Sequence, residues 1–221
     1  MFTGLIETSG TIVSVEKSRG AAILGIRPDK NGFLPLPGAS VAVDGVCLTL
    51  EHARGGMFYF TAVAETLGRT TLGRAKQSVG VNLEQAMPAD GRFDGHFVLG
   101  HVDGMGMIVA DHGEGTGILR TIRVPENCVP LMAEKGSVAI DGISLTIAAV
   151  EGDRISIALI PRTLEATTMS LKKPGDAVNI ECDVLARYVN RMMTFGGQQP
   201  EASGRTAGRE TLLEQMERAG F

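Results

Sequence analysis

Three side chains with reactive chemistry stand where an internal repeat changes its polar residue. The stretch VAVDGVCLTL, residues 41–50, returns as VAIDGISLTI, residues 138–147, with Cys47 replaced by Ser144. Leu5, in TGLI, becomes His101, in LGHV, and Gly38 becomes Lys135 just before the repeated Ser-Val-Ala. A thiol attacks carbon as its thiolate. An imidazole takes or gives a proton near neutral pH. The hydroxyls of Ser144 and of its neighbour Thr146 both donate and accept hydrogen bonds. Two sites built alike but armed differently suit two similar ligands with different parts in one reaction. The competing reading of Cys47 is a small buried hydrophobe, the usual fate of a single cysteine in an apolar strand.

Two other patterns carry less. His96, His101 and His112 lie near Asp94, Asp103 and Asp111. On an extended strand, however, positions 96 and 101 point to opposite faces, and their convergence needs a bend at Gly100. No metal is expected, and His101 as an acid or base is the more economical reading. The run GEGTG, residues 113–117, lacks the spacing of a phosphate loop and sits in a strand-rich region, so it reads as a hairpin loop.

What positions these residues is the repeat itself. With residue 41 laid on residue 138, Thr70-Thr71-Leu72 meets Thr167-Thr168-Met169, and VNLE (81–84) meets VNIE (178–181). With residue 3 laid on residue 99, TGLIETSGTI meets LGHVDGMGMI. A long period present twice means two whole domains, since solenoid repeats are shorter and need at least three copies. The expected division is a first domain over 1–96, a second over 97–193 and a tail over 194–221.

Within each half the pattern is mainly β. In the first, GTIVSVE, AAILGI, SVAV, VCLTL, MFYFTAV and VNLE are apolar, β-branched runs separated by turn residues, which predicts six strands and a small closed barrel. Asp44-Gly45 and Asp141-Gly142 predict two-residue hairpins. ETLGRTTLG and RTLEATTMS predict one short helix per barrel, capped by Thr66 and Thr163. VLARYVNRMM predicts a helix with Val184, Leu185, Tyr188, Val189 and Met192 on one face, which must bury against the barrels or against other chains. Residues 194–208 read as a linker and RETLLEQMERAGF as a short helix.

Composition excludes several classes. The 221 residues are 43% hydrophobic and 21% charged, with net charge −4 and no basic stripe, so disorder and nucleic-acid binding are not expected. Three cysteines far apart do not form a disulfide framework and suit a reducing compartment. No run approaches the ~20 apolar residues of a membrane span, and the first residues lack a basic leader, so a cytoplasmic protein without membrane partners is expected.

MFTGLIE, VDGVCLT, GHFVLGHVDG, IDGISLT, LIPRTLEATT and VNIECDVLARYV occur in that order from residue 1 to about 193. Together they resemble the riboflavin synthase alpha-chain family, built from two lumazine-binding repeats. The resemblance implies two tandem six-stranded barrels of Greek-key type, a C-terminal helix that helps hold a homotrimer, and a cofactor-independent transferase. That enzyme turns two molecules of 6,7-dimethyl-8-ribityllumazine into riboflavin and 5-amino-6-(D-ribitylamino)uracil. Its active site forms between the first barrel of one subunit and the second barrel of another. Asp94 departs from the family's Gly-Gly-His-Phe run, and Arg162 sits at a variable position.

Carried over residue by residue, one substrate surface comprises Gly4, Leu5 and Ile6 with Cys47, Leu48 and Thr49, followed by Thr61, Ala62, Val63, Ala64, Glu65 and Thr66. The other comprises Gly100, His101 and Val102, then Lys135, then Ser144, Leu145 and Thr146. It continues through Ala158, Leu159, Ile160, Pro161, Arg162 and Thr163. Each set is expected to come from its own repeat. The expected catalytic set is Cys47, His101, Ser144 and Thr146. His101 removes a proton from the C7 methyl of one lumazine, supported by Ser144 and Thr146. Cys47 adds to C7 of the other or positions hydroxide there. Stacking two rings in register can itself remove roughly 7–11 kcal/mol of barrier. A binding protein of the same fold is the alternative, and it has no use for Cys47 or His101.

Overall fold

The computed structural model describes residues 1–195 of the chain. The first half folds as β1 (Thr8–Ser18), β2 (Ala21–Pro28), β3 (Ser40–Val43), β4 (Val46–Arg54), β5 (Met57–Val63), helix α1 (Ala64–Arg69) and β6 (Gly80–Gln85). The second repeats it as β7 (Gly104–Glu114), β8 (Gly117–Arg123), β9 (Ser137–Ile140), β10 (Ile143–Glu151), β11 (Arg154–Leu159), helix α2 (Pro161–Ala166) and β12 (Ala177–Cys182). Helix α3 (Val184–Phe195) follows. Each set of six strands closes on itself, in the orders β1-β2-β5-β4-β3-β6 and β7-β8-β11-β10-β9-β12. Closure removes the exposed edges that a short open sheet leaves unpaired. The tight curvature is taken up at matching irregularities, Ile12/Ser14 and Leu50/His52 in one barrel and Ile108/Ala110 and Ile147/Ala149 in the other.

Alternation fills each barrel. In β5, Phe58, Phe60 and Ala62 point inward beside Leu24, Ile26 and Leu50, and in the second barrel Ile122, Ile147, Ile155 and Ile157 do the same. The six predicted strands of the first half are all present, and Gly115 (φ 57) turns the hairpin between β7 and β8 where GEGTG reads as a loop. The capping prediction needs correction. Helices α1 and α2 start directly from extended Val63 and Ile160, so Thr66 and Thr163 lie inside them and cap nothing. In α2, Pro161 supplies the fixed φ that starts the helix. The threonines that do bond locally sit at the other end: Thr70 and Thr167 Oγ1 each donate to the carbonyl four residues back, at 2.7 Å.

The two barrels lie back to back within one compact unit, Met1–Asn190. Their Asp-Gly turns meet there. Asp44 and Gly45 have φ of 45° and 75°, Asp141 and Gly142 46° and 80°, the positive pair a two-residue hairpin requires. A Cβ on Gly45 would stand 2.6 Å from Gly142 N, and one on Gly142 would stand 2.7 Å from Gly45 N, so neither turn tolerates a side chain. The asparagines of the repeated VNLE and VNIE cross between halves. Asn82 Nδ2 donates to Asp141 O (3.0 Å) and Asn179 Nδ2 to Asp44 O (2.8 Å), while their side-chain oxygens accept from Thr168 N and Thr71 N at 2.8 Å. Both buried amides are satisfied by the opposite repeat, so one barrel organises the other.

One lysine serves both turn aspartates. Lys172 Nζ lies 2.9 Å from Asp141 Oδ2, and at the equivalent place the first repeat has Ala75. Among the described residues no cation is paired with Asp44 alone; burial, then the charge of Asp141, pushes its carboxyl up from 3.8 to about 8. Between those values the folded chain holds a proton that the unfolded chain has lost. This contribution to stability is complete below pH 3.8 and disappears as pH rises toward 8, at up to about 1.4 kcal/mol per pH unit. The wild-type Tm is therefore expected to fall between pH 5 and 8. Asp44→Asn keeps the acceptor for Asn82 N (2.7 Å) and tolerates the positive φ, so it should flatten that fall. Parallel Tm profiles for the two proteins would refute the assignment.

The apolar face of α3 is not covered by its own barrels: Leu185, Tyr188 and Val189 are 57%, 64% and 55% exposed. Of the two burial options open to this stripe, packing on its own barrel is the one not realised. Among the described residues no helix is long and apolar enough to cross a membrane. The expected linker beyond residue 195 and the expected helix in RETLLEQMERAGF lie outside the described residues.

Candidate active site

The site segments are held by two buried carboxylates at the ends of β6 and β12. Glu84 accepts from Thr3 N (2.7 Å), Thr3 Oγ1 (2.8 Å) and Gly4 N (3.0 Å). Glu181 accepts from Leu99 N (2.7 Å), Gly100 N (2.9 Å) and His101 N (3.1 Å). Burial pushes both carboxyls up, and the backbone bonds oppose it by favouring the anion. Gly4 (φ 77) and Gly100 (φ 78) bend the chain at these anchors, and the bend leaves their carbonyls free for the opposite barrel.

Here the structure corrects the expected grouping. Ser144 N donates to Gly4 O (2.8 Å), and Cys47 N donates to Gly100 O (2.9 Å). The N-terminal segment therefore lies on the second barrel, and segment 99–102 lies on the first. Phe2 and Val98 pair with each other where the two segments cross, with N–O distances of 2.7 and 3.2 Å. Packing agrees, since Ile6 rests on the core of the second barrel and Val102 on that of the first. One surface thus joins Cys47, Leu48 and Thr49 to Gly100, His101 and Val102. The other joins Ser144, Leu145 and Thr146 to Gly4, Leu5 and Ile6. The cause is the exchange across the Phe2–Val98 pair, which repeats at identical positions cannot reveal.

Strand alternation sorts what each surface presents. Cys47 and Thr49 share the outer face of β4, as Ser144 and Thr146 share that of β10. Leu48, Ala62 and Leu159 turn into the barrel cores, so only their backbone reaches a ligand. Val63 and Ile160 are exposed apolar side chains at matching strand ends. A cleft of about 220 Å³ is lined by Gly4, Leu5, Ile6, Ser144, Arg162 and Thr163, among others.

His96, which the sequence offers only as a candidate metal ligand, stands beside Ser144. Its Nδ1 lies 2.7 Å from Ser144 Oγ, and its backbone N donates to Thr3 O (3.2 Å). The ring is buried, Nε2 has no hydrogen-bond partner among the described residues, and burial lowers its pKa below 6.5. It is thus neutral at pH 7 and able to take the Ser144 proton at Nδ1 when Nε2 carries the ring hydrogen. No sequence pattern singles it out; the preceding Gly95 is required by the fold, since a Cβ there would overlap Thr3 O.

Lys135 occupies a left-handed turn (φ 65) that its counterpart Gly38 (φ 86) fills without strain. Its N donates to Ile147 O (2.8 Å) on the strand carrying Ser144, and its ammonium is exposed. Lys135→Gly is expected to stabilise the fold by about 1 kcal/mol, read as a higher denaturant midpoint. It should also raise KM; an unchanged midpoint would sink the strain argument.

Fold and site define a duplicated barrel protein with two related surfaces, each completed by the opposite repeat. The model of the Lumazine binding domain family matches residues 3–86 and 99–183. Riboflavin synthase of Bacillus subtilis (strain 168) is 39% identical over 193 residues, 87% of this chain and 90% of that one. Riboflavin synthase of Photobacterium phosphoreum is 35% identical over 222 residues, 100% and 99% of the two chains. The crystal structure of LumP complexed with 6,7-dimethyl-8-(1'-D-ribityl) lumazine shares the fold, with a TM-score of 0.75 at 22% identity over 82% of this chain and 99% of that one. The chain belongs to the riboflavin synthase family.

Proposed function

We propose that this chain carries out the family's reaction, the cofactor-independent transfer of a four-carbon unit between two molecules of 6,7-dimethyl-8-ribityllumazine. The products are riboflavin and 5-amino-6-(D-ribitylamino)uracil. The two substrates supply every atom of both products, so no oxidant or reductant takes part. The observation that carries the reading is the pair of crossed surfaces, equal in backbone and different in side chains.

The lumazine on the Ser144 surface is the one deprotonated. Ser144 Oγ, backed by His96 at 2.7 Å, is the polar group placed to receive the C7-methyl proton, and Thr146 offers a hydroxyl to the developing charge. The lumazine on the Cys47 surface is the electrophile, through addition at C7 of the thiolate or of hydroxide held by Cys47. His101 belongs to this second surface. It reaches the first lumazine only when the two surfaces face each other.

That facing is the work of a homotrimer, with the first barrel of one subunit against the second barrel of the next. The bare face of α3 and a cleft smaller than the roughly 300 Å³ that ligand pockets usually need support this reading. The domains over 1–96 and 97–193, which exchange their leading segments, then contribute to different sites. A cytoplasmic location fits the free thiols. Incubation with the lumazine alone tests the function: riboflavin should appear at half the molar amount of substrate consumed. Bound lumazine without product would instead make the chain a binding protein.

A further inference from the structure

The two cysteines unused by the reaction converge. Cys128 and Cys182 are buried, and their sulfurs and a carboxylate oxygen of Asp103 all lie within 4.8 Å of one another. The ligating positions sit at the edges of three elements: Asp103 just before β7, Cys128 before the turn Val129–Leu131, and Cys182 at the end of β12. We infer that Asp103, Cys128 and Cys182 form a binding site for a thiophilic divalent cation of the zinc type.

The first barrel shows what this place looks like without metal chemistry. There Glu7 accepts from Gln85 N (2.7 Å) and Gln85 Nε2 (3.0 Å), so the amide side chain satisfies the carboxylate. In the second barrel the backbone bond is kept, Cys182 N to Asp103 Oδ2 at 2.9 Å, but the amide is gone and two thiols stand beside the carboxylate. Arg187 of α3 grips Asp103 from outside, NH1 to Oδ1 at 3.0 Å and NH2 to Oδ2 at 3.1 Å. Oδ2 therefore has both lone pairs engaged, while Oδ1 keeps one for a metal.

Two sulfurs and one oxygen match a borderline-soft ion and not magnesium or calcium. Binding replaces two S–H bonds by two metal–sulfur bonds and releases two protons to solvent. Because both thiols must give up their protons to bind the ion, affinity should rise with pH. A disulfide between the two thiols would need an oxidant and is not proposed. The ion would tie the start of α3 to the segment that presents His101. The expectation of no metal rested on the histidines alone; Cys128 and Cys182, far apart along the chain, are brought together by the fold.

Cobalt(II) is the probe. The full chain, stripped with chelator and kept reduced, should develop a sulfur-to-cobalt charge-transfer band in the near ultraviolet. The band should saturate at one ion per chain and bleach with zinc. Cys128→Ala and Cys182→Val should each abolish it, Asp103→Asn should weaken binding at least tenfold, and Cys47→Ser should leave it intact. Lumazine turnover by Cys128→Ala without added metal shows that the variant is folded. No band in folded wild type, a band that survives loss of both buried cysteines, or one lost only in Cys47→Ser would overturn the assignment.

Discussion

Gly100→Ala is expected to lower turnover about a hundredfold while both barrels stay folded. A Cβ there would stand 2.5 Å from Cys47 Cβ and 2.8 Å from Cys47 N, the atom that donates to Gly100 O. The segment must back away from β4, carrying His101 with it and loosening the backbone hydrogen bond between Gly100 and the cysteine. Gly4→Ala should act in the same way at the other surface, with its Cβ 2.6 Å from Ser144 Cβ. Left-handed strain alone, roughly 1–2 kcal/mol, is common to any such replacement. Gly56→Ala separates the two effects, because Gly56 has φ 75 and nothing within 4 Å of the added carbon. It should lose stability and keep full turnover. If all three variants lose turnover equally, close contact at the site is not what the glycines provide.

The fold was legible because its signals are local. Strand alternation in MFYFTAV, the positive-φ turn at Asp44-Gly45 and the helix in VLARYVNRMM each depend on a few neighbouring residues, and each stands in the structure as the sequence implies. The site residues were legible as differences between copies, as with Cys47 and Ser144. Their grouping was not, because a repeat aligns position with position and is silent on which copy a segment docks against. That choice is made by long-range contacts: the Phe2–Val98 pairing, and the carbonyls of Gly4 and Gly100 meeting the opposite hairpin. Glu84 and Glu181 were visible inside VNLE and VNIE, yet a carboxylate at the end of an apolar strand has no role until its backbone partners are known. The role of His96 was not legible because strand periodicity, which sets 96 and 101 on opposite faces, does not apply there: no strand spans residues 96–101, and Gly100 turns the chain.

Cys47→Ser and Ser144→Ala should each slow turnover by about two to three orders of magnitude, the range over which positioned acid–base groups act. His101→Gln should be milder, about tenfold. His96→Gln should follow Ser144→Ala and distort the acid limb of the pH profile. In wild type that limb should fall below pH 6.5, because burial lowers the His96 pKa and the neutral ring is the active form. Equal, negligible losses at Cys47 and Ser144 would refute the division of roles. The two severe variants also test where the site lies. If the Cys47 surface of one subunit faces the Ser144 surface of another, a Cys47→Ser trimer and a Ser144→Ala trimer regain activity when unfolded together in equal amounts and refolded. A site is intact when its first-barrel subunit carries only the Ser144 change and its second-barrel subunit only the Cys47 change. Each condition holds half the time, so about a quarter of wild-type activity should return. A site contained within one chain would recover none, since every chain in the mixture carries one of the two lesions.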